Sequence, residues 1–245
     1  MIATSKFVFL HLHKSGGTFI NEFLRRFFPA AKSIGYHYPA SALPREYADL
    51  PRFGLVRNPW SFYVSWFHFQ KQKPRPDPIF RLTAGDPANF ADTVRRVLTL
   101  GEDRQLLGQV RALLPADLIP SPSASLELSR SAREAIGPNL TKGSLDALEA
   151  SEARSVGYYT YLFQWMYGDL HHTTIARLAS VGPEFVQFLD AVGERVTDDM
   201  RAYLRANVPI NRSSHGHFAD YYDDDLAGLV AEKDAHVVDT YRFAL

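Results

Sequence analysis

The 245-residue sequence predicts an α/β fold, with a central parallel sheet flanked by helices. Two segments carry this prediction, 6–28 and 53–70, because in each a continuously apolar stretch leads through a turn into a helical pattern. Strands that alternate with helices favour a parallel sheet, since parallel neighbours need a crossover connection. At about 150 residues per domain the length suits one large domain or two small ones. The alternation favours a single domain over 1–245, with a helical insertion at about 75–150.

The first segment is predicted to run from a strand through a glycine turn into a helix. Residues 6–12 are apolar except for the first residue and His11, which is typical of a strand buried on both faces. Residues 13–17 (HKSGG) end the strand. Between residues 18 and 28 the apolar side chains recur at helical spacing, and Pro29 ends this amphipathic helix.

The second segment repeats this order, and further elements follow it. Residues 53–56 indicate a short buried strand, 57–59 a turn, and 60–70 a helix that begins just after a proline. The helix is aromatic on nearly every side, so we expect it to be buried. The later elements are predicted as a strand at 172–178 and as helices at 155–167, 183–192, 197–208 and from 223 onward.

Composition excludes several classes of protein. The chain has no cysteine, which excludes disulfide scaffolds, thiolate zinc sites and cysteine nucleophiles. With 46% hydrophobic and 22% charged residues it is typical of globular proteins rather than disordered ones. No apolar run approaches the roughly 18 residues that cross a bilayer, and the apolar run at 7–10 is too short for a signal peptide. These observations predict a cytoplasmic protein without a transmembrane segment.

The net charge of zero hides an asymmetry along the chain. Residues 1–75 hold 11 Lys and Arg against three acidic residues, a local charge of +8, and the remainder carries −8. This basic part indicates an anionic ligand, such as nucleic acid, a membrane surface or a phosphorylated cofactor. Nucleic acid is disfavoured, because its readers need a basic strip interleaved with exposed aromatic side chains, and the aromatic residues here are predicted to be buried. A small polyanion fits better.

The glycine turn has the features of a phosphate or sulfate cradle. It opens a helix after a buried strand, where exposed backbone N–H groups and the helix dipole favour anions. Lys14 adds a cation, and the hydroxyls of Ser15 and Thr18 add donors. The turn is not a Walker A loop, because its lysine precedes the glycines, and it lacks the GxGxxG pattern of dinucleotide-binding folds. Taken alone, it is equally consistent with a plain tight turn.

Two motifs taken together resemble those of the sulfotransferases that use 3′-phosphoadenosine 5′-phosphosulfate (PAPS). Residues 11–18 (HLHKSGGT) are similar to the family's 5′-phosphosulfate loop, a KxGG[TS] turn between a strand and a helix. Residues 55–60 (LVRNPW), with Ser65 eight residues after Arg57, resemble its 3′-phosphate motif. A weaker similarity to bacterial and carbohydrate-type members lies at 211–222 (NRSSHGHFADYY). The resemblance implies a P-loop-like fold and a PAPS-dependent sulfotransferase.

The resemblance also implies roles for individual residues. Arg57 and Ser65 would bind the 3′-phosphate, the group that distinguishes PAPS from ATP. Ser213 and His215 lie in the loop similar to the one that covers the nucleotide, and would contact it; an exposed loop histidine is almost as consistent with the sequence. Lys14 would also stabilise the leaving group. The residues implied to hold the 5′-phosphosulfate are Lys14, Ser15, Gly16, Gly17 and Thr18.

The resemblance further implies the cofactor and the acceptor. The cofactor would be PAPS, with adenosine 3′,5′-bisphosphate (PAP) as its product and with no metal. The acceptor would be a hydroxyl group of a carbohydrate, a lipid or a small metabolite. The sequence does not distinguish among these acceptors.

The acceptor hydroxyl needs a general base, and histidine is the natural choice. His37 lies between the two phosphate motifs, the interval in which several carbohydrate-type sulfotransferases of similar layout place their catalytic histidine. We therefore expect His37 to be the base. His11 and His13, which flank the cradle, and His68, which lies on the second helix, are its rivals.

Some positions depart from the family's pattern and leave alternatives open. His13 stands where Pro is common and Phe62 where Arg is common, so part of the 3′-phosphate or helix-packing role is in doubt. One alternative is a P-loop-type kinase of nucleotides or small molecules, against which the order of lysine and glycines argues. Another is a non-catalytic nucleotide-binding relative, which the missing arginine favours. The aromatic segment 158–167 either lines an acceptor pocket or packs in the core.

Overall fold

The computed structural model describes residues 1–120, 137–149, 155–206 and 216–245. These residues form two compact units. The first unit holds residues 1–57, 120, 137–139 and 163–206, and the second holds 58–119, 140–149, 155–162 and 216–245. The helical insertion within one domain over the whole chain stays a prediction.

Helices and strands alternate along the chain, as the α/β prediction requires. The α-helices of the described residues are, in chain order, α1 (Gly17–Phe27), α2 (Pro59–Lys71), α3 (Pro78–Thr83), α4 (Phe90–Leu98), α5 (Arg104–Leu113), α6 (Asp146–Glu149), α7 (Tyr158–Tyr167), α8 (Val181–Ala191), α9 (Asp198–Ala206), α10 (Asp224–Lys233) and α11 (Ala235–Tyr241). The strands are β1 (Ile2–Ala3), β2 (Val8–Leu10), β3 (Lys32–Ser33), β4 (Arg52–Val56) and β5 (Thr173–Arg177). None of the described helices combines the length and apolarity needed to cross a membrane.

The five described strands form one sheet, which lies in the first unit. Their order is β3-β1-β2-β4-β5. The three longer strands β2, β4 and β5 are parallel, as predicted, and β1 pairs antiparallel with both β2 and β3. The antiparallel edge was not predicted, because strands of two residues are too short to show a periodicity. Since Leu10 pairs with Gly54, both predicted turns leave the sheet at its carboxyl edge.

Apolar residues of the sheet and of three helices form the core of the first unit. Phe7, Phe9 and Phe53 are completely buried, and they pack with residues of α1, α8 and α9. The ring centroid of Phe53 lies 4.6 Å from that of Phe185 on α8. Burying a phenylalanine stabilises the fold by about 1.5–3 kcal/mol, so these rings dominate the stability of this layer. They also fix the end of β2, from which the glycine turn begins.

Tyr167, the last residue of α7, is hydrogen-bonded to the backbone of β4 within the first unit. Its hydroxyl accepts a hydrogen bond from the Leu55 N–H over 2.9 Å and donates one to the Leu55 carbonyl over 2.7 Å. Its ring fills the space beside Gly54, where an added Cβ would lie 2.3 Å from a ring carbon. Except for the half-buried Trp165, the aromatic residues of α7 are core residues rather than an exposed stacking surface. Those at most 2% exposed are Tyr158, Tyr159, Tyr161, Phe163 and Tyr167.

Phe62 belongs to the aromatic core of the second unit. It is completely buried, and its ring stacks on Tyr159 with centroids 4.2 Å apart. An arginine in the same place would need an ionic partner in this apolar layer. The phenylalanine at position 62, where the family pattern favours an arginine, therefore fits the apolar packing around it.

A buried carboxylate, Asp234, anchors the start of α7 within the second unit. Its two oxygens accept hydrogen bonds over 2.7 Å, from the Thr160 N–H and from the Tyr63 hydroxyl. The Tyr63 oxygen in turn accepts from the Tyr159 N–H over 3.1 Å. Burial raises the pKa of Asp234 to about 6, although the bonds from Tyr63 and Thr160 oppose this. The carboxylate thus caps a helix from a distant part of the chain, at the cost of its own desolvation.

The raised pKa of Asp234 predicts an unusual pH dependence of stability. A carboxyl whose pKa is higher in the folded state contributes most stability when protonated, and it loses that contribution as the pH rises through about 6. Relative to an Asp234→Asn variant, the wild type should therefore gain about 1 kcal/mol of unfolding free energy between pH 7 and pH 5. Urea denaturation of both proteins at the two pH values measures this difference. A difference that is constant, or that falls on acidification, would contradict the assignment.

Candidate functional site

The turn that follows β2 has the backbone of a tight, strained loop. Lys14 has a φ of 60° and Gly16 a φ of 83°, both in the left-handed region. Glycine adopts this conformation without steric cost, whereas a lysine there is uncommon and typical of functional turns. A Cβ on Gly16 would also lie 2.2 Å from the Leu178 side chain. Two features therefore favour glycine at this position: its positive φ and the close approach of the Leu178 side chain.

The N-terminus of α1 is open to an anion. Among the described residues no side chain caps it, and its first turn holds no acidic residue. Two other helices, α8 and α11, also lack a side-chain cap, whereas an Asn or Asp caps five helices, namely Asn58 on α2, Asp77 on α3, Asn89 on α4, Asp103 on α5 and Asp223 on α10. Free N–H groups and the positive end of the dipole favour a negative group at the α1 terminus. Lys14, Gly16 and Thr18 are partly exposed there, whereas Ser15 is completely buried.

The second glycine, Gly17, makes room for the imidazole of His11. A Cβ on Gly17 would lie 2.0 Å from Cδ2 and 2.4 Å from Nε2 of His11. No real side chain tolerates such distances, so the ring occupies the space that a residue other than glycine would fill. The ring is only 3% exposed and is held on its other sides as well. It stacks on Phe9 with centroids 5.8 Å apart and meets the edge of Tyr36 at 5.4 Å.

His37 is brought directly onto this turn. Its Nδ1 lies 2.6 Å from the carbonyl oxygen of His11. Because a carbonyl only accepts, Nδ1 carries the proton, and in the neutral ring Nε2 is left as the acceptor nitrogen. The ring centroids of His37 and His11 are 4.4 Å apart, and His37 is 2% exposed. This is the tautomer that a general base acting through Nε2 requires.

Neighbouring backbone contacts hold His37 in an unusual conformation. Its φ is 55°, in the left-handed region that only a few per cent of residues other than glycine adopt. The Ile34 N–H donates to the Met1 carbonyl over 3.1 Å, and the Asn139 side-chain amide donates to the Tyr36 carbonyl over 2.9 Å. Asn139 is 1% exposed. Asn139 could not be predicted from the sequence, because its separation from His37 along the chain gives no local signal.

The structure brings three of the four candidate bases together. His13 is 5% exposed, and its ring centroid lies 5.1 Å from that of His37. His11, His13 and His37 therefore form one histidine cluster beside the glycine turn. His68 lies in the second unit, where its ring contacts Tyr221 with centroids 5.2 Å apart.

Arg57 links the two phosphate motifs within the first unit. It directly follows β4, and its Nη1 donates a hydrogen bond to the carbonyl of Lys14 over 3.2 Å. The guanidinium and the Lys14 residue are thus neighbours at the carboxyl edge of the sheet. Two cations at this edge add to the positive potential of the α1 terminus.

The remaining predicted residues lie elsewhere or outside the described part of the chain. Ser65 lies on α2 in the second unit and is 3% exposed. Ser213 and His215 fall among residues 207–215, outside the described residues. Among the described residues, no group of three or more His, Asp or Glu is arranged to hold a metal ion.

The close approach of Gly17 and His11 predicts the effect of substitution. Gly17→Ala should destabilise the fold by about 1–3 kcal/mol, because the buried ring has nowhere to move. In a His11→Ala background the same substitution should cost little. Gly108→Ala on α5 is the control, since an added Cβ there meets no atom within 4 Å and should be neutral or stabilising. Chemical denaturation of the single and double variants measures these values, and an equal cost in both backgrounds would show that the ring is not the obstacle.

Comparison with known proteins agrees with this architecture. No family model and no curated protein matches the sequence. Among solved structures, the crystal structure of mouse sulfotransferase SULT7A1 complexed with PAP is similar, with a TM-score of 0.53 and 12% sequence identity. The similarity covers 99% of this chain and 91% of that chain. The chain therefore has the α/β fold of a sulfotransferase, with a central sheet flanked by helices, as the sequence predicts.

Proposed function

We propose that this protein is a sulfotransferase that moves a sulfuryl group from PAPS to a hydroxyl group of a carbohydrate, lipid or small metabolite. One observation carries the proposal: the carbonyl of His11, just before the turn that forms the anion cradle, accepts a hydrogen bond from Nδ1 of His37, so Nε2 is the acceptor nitrogen of the neutral ring. A cradle for an anionic donor and a base for an acceptor are the two parts that such a transfer needs. The fold shared with a sulfotransferase supports the same conclusion.

The cradle residues are proposed to hold the 5′-phosphosulfate. The N–H groups at the start of α1 point their partial positive charge at the anion, and Lys14 adds a full charge beside them. When bound, PAPS supplies the sulfuryl group and an anionic leaving group. Contacts that strengthen as charge develops on a leaving oxygen typically lower the barrier by about 3–4 kcal/mol. We assign this role to Lys14 together with the backbone of Gly16, Gly17 and Thr18; a direct contact from Ser15 stays a prediction.

His37 is proposed to take the proton of the acceptor hydroxyl on Nε2. Its Nδ1–H bond to the His11 carbonyl orients the ring and stabilises the positive charge that it gains. The oxygen that loses the proton then forms the new bond to sulfur, while the bond from sulfur to the leaving oxygen breaks. Proton transfer by a positioned base contributes about 10²–10⁴ in rate.

Arg57 is proposed to recognise the 3′-phosphate. A guanidinium binds a phosphate through two parallel hydrogen bonds, which gives both affinity and geometry. The contact from Arg57 to the Lys14 carbonyl places the guanidinium beside the cradle, at the carboxyl edge of the sheet. The roles of Ser65, Ser213 and His215 rest on the sequence resemblance.

The first test concerns nucleotide preference. PAP should raise the melting temperature by binding the folded state, and ATP with Mg²⁺ should raise it much less. Arg57→Lys should weaken PAP binding by about tenfold or more, because the fork is lost although the charge remains. The matched control is Arg52→Lys on the same strand, whose guanidinium bonds the exposed Ala48 carbonyl. Thermal shift and calorimetric titration measure both effects.

Other outcomes of this experiment would select another function. Equal stabilisation by ATP with Mg²⁺ would favour a kinase, and PAP binding without sulfuryl transfer to any of a broad panel of metabolites and glycans would favour a non-catalytic relative. Equal losses of affinity in Arg57→Lys and Arg52→Lys would remove Arg57 from the nucleotide site.

The second test concerns the base. His37→Asn should lower kcat by about 10²–10⁴ with nearly unchanged affinity for PAP. Asn tolerates the positive φ of this position and can donate to the His11 carbonyl, but it cannot accept a proton. In the wild type, activity should fall as acid protonates the histidine, and the variant should lose this acid limb. The control is His171→Ala, which removes an exposed histidine. A His37→Asn enzyme that keeps more than about a tenth of wild-type kcat would move the assignment to His13.

A further inference from the structure

We infer that Asn21 and His11 form a positioning pair that couples the anion cradle to the His37 base. The inference rests on the proposed function and assigns a role to two residues of the first unit that sequence analysis either missed or treated as a rival base. Asn21 touches neither the proposed donor nor the acceptor. It acts through the ring of His11, and His11 acts on His37.

The first step is the contact between Asn21 and His11. Asn21 lies one helical turn after Gly17, so both residues occupy the same face of α1. The Asn21 amide nitrogen lies 3.1 Å from Nδ1 of His11. In this orientation of the amide its nitrogen donates, so Nδ1 is the acceptor and the proton of the neutral ring lies on Nε2. Protonating Nδ1 would break this bond, and Asn21 therefore favours the neutral form of His11.

The second step is the position of the ring against the cradle. Its Cδ2–Nε2 edge lies over Gly17, within 2.0–2.4 Å of the place where a Cβ would be. The opposite sides of the ring meet Phe9 and Tyr36. The ring is thus wedged between the first turn of α1 and the segment that carries His37. The hydrogen bond from Asn21 adds a directional contact to this packing.

The third step is the double contact between His11 and His37. The His11 carbonyl accepts from Nδ1 of His37 over 2.6 Å, and the two ring centroids are 4.4 Å apart. One residue therefore sets the tautomer of the base through its backbone and the direction of the base through its side chain. A neutral His11 ring is also needed here, since an imidazolium at this distance would oppose protonation of His37.

The consequence is a chain of contacts from α1 to the base. The helix whose N-terminus forms the anion cradle also carries the amide that orients His11, and His11 orients His37. A displacement of α1 when the anion binds would therefore move the ring of His11 and, through it, the ring of His37. The geometry of the donor side and that of the acceptor side are set by the same helix.

The test compares Asn21→Ala with Glu22→Ala, its neighbour on α1, which pairs with Arg25 at the surface. Asn21→Ala should lower kcat by about tenfold or more, because small misplacements of a catalytic group are costly. The Kd for PAP should change by less than about threefold, since the cradle itself is untouched. In a His37→Asn background Asn21→Ala should lower kcat by less than about twofold, because its effect passes through the base. Glu22→Ala should leave all three quantities unchanged.

Two results would overturn the inference. One is an equal loss of kcat from Asn21→Ala with and without His37, and the other is a loss of PAP affinity as large as the loss of kcat. Either result would show that Asn21 supports the helix or the cradle and not the base. Melting temperatures of the variants, measured alongside, confirm that each protein is folded under the assay conditions.

A measurement without substrate separates this inference from the proposed function. Long-range ¹⁵N–¹H spectra of the histidine rings should show the proton of His11 on Nε2 and that of His37 on Nδ1. Asn21→Ala should mix the tautomers of His11 and shift the ring signals of His37, whereas Glu22→Ala should not. A His11 proton on Nδ1 in the wild type, or a His37 ring insensitive to Asn21, would overturn the inference. Absence of PAP binding and sulfuryl transfer, with these spectra as expected, would overturn only the proposed function.

Discussion

The imidazole of His11 and a side chain at position 17 exclude each other, and the arrangement around the glycine turn depends on this exclusion. The ring needs the bare backbone of Gly17 in order to bring its Cδ2–Nε2 edge against the start of α1. Only then can the same residue offer its carbonyl to His37 while its ring stays between Phe9 and Tyr36. A steric requirement at one Cα thus determines how closely a strand end, a helix start and a distant loop approach one another.

Electrostatics add a second constraint at the same place. A side-chain cap typically stabilises a helix by about 1 kcal/mol, and α2, α3, α4, α5 and α10 each have one. Within the described residues α1, like α8 and α11, lacks this contribution, and only α1 lacks it beside Lys14 and Arg57, which add positive charge at the edge of the sheet. A helix without a stabilising cap, next to a strained backbone such as that of Lys14, is typical of a binding site.

The sequence predicted those features that local patterns determine. The strand, turn and helix units, the cation before the glycines and the buried aromatic helix α2 follow from periodicity and spacing. The role of Gly17 did not follow, because it depends on where a ring six residues earlier is directed. Asn21 and Asn139 were missed for a related reason: an asparagine on a helix or after a turn has many ordinary explanations, and only the tertiary structure shows which group its amide meets. The family pattern at position 62 was a poor guide to packing, since Phe62 fills an aromatic layer.

The hydroxyl of Tyr167 allows β2 to end one residue before Leu55 of β4 would need it as a hydrogen-bond partner. A strand inside a sheet normally needs a partner strand on each side, because every buried N–H and C=O must find a hydrogen bond. The last register pair between β2 and β4 is Leu10 with Gly54, and at the next residue one phenolic oxygen serves both backbone groups of Leu55. A single side chain thereby replaces a stretch of missing strand. The chain after Leu10 is released from pairing with β4, and its backbone curves away from the sheet, where the His11 carbonyl accepts a hydrogen bond from His37.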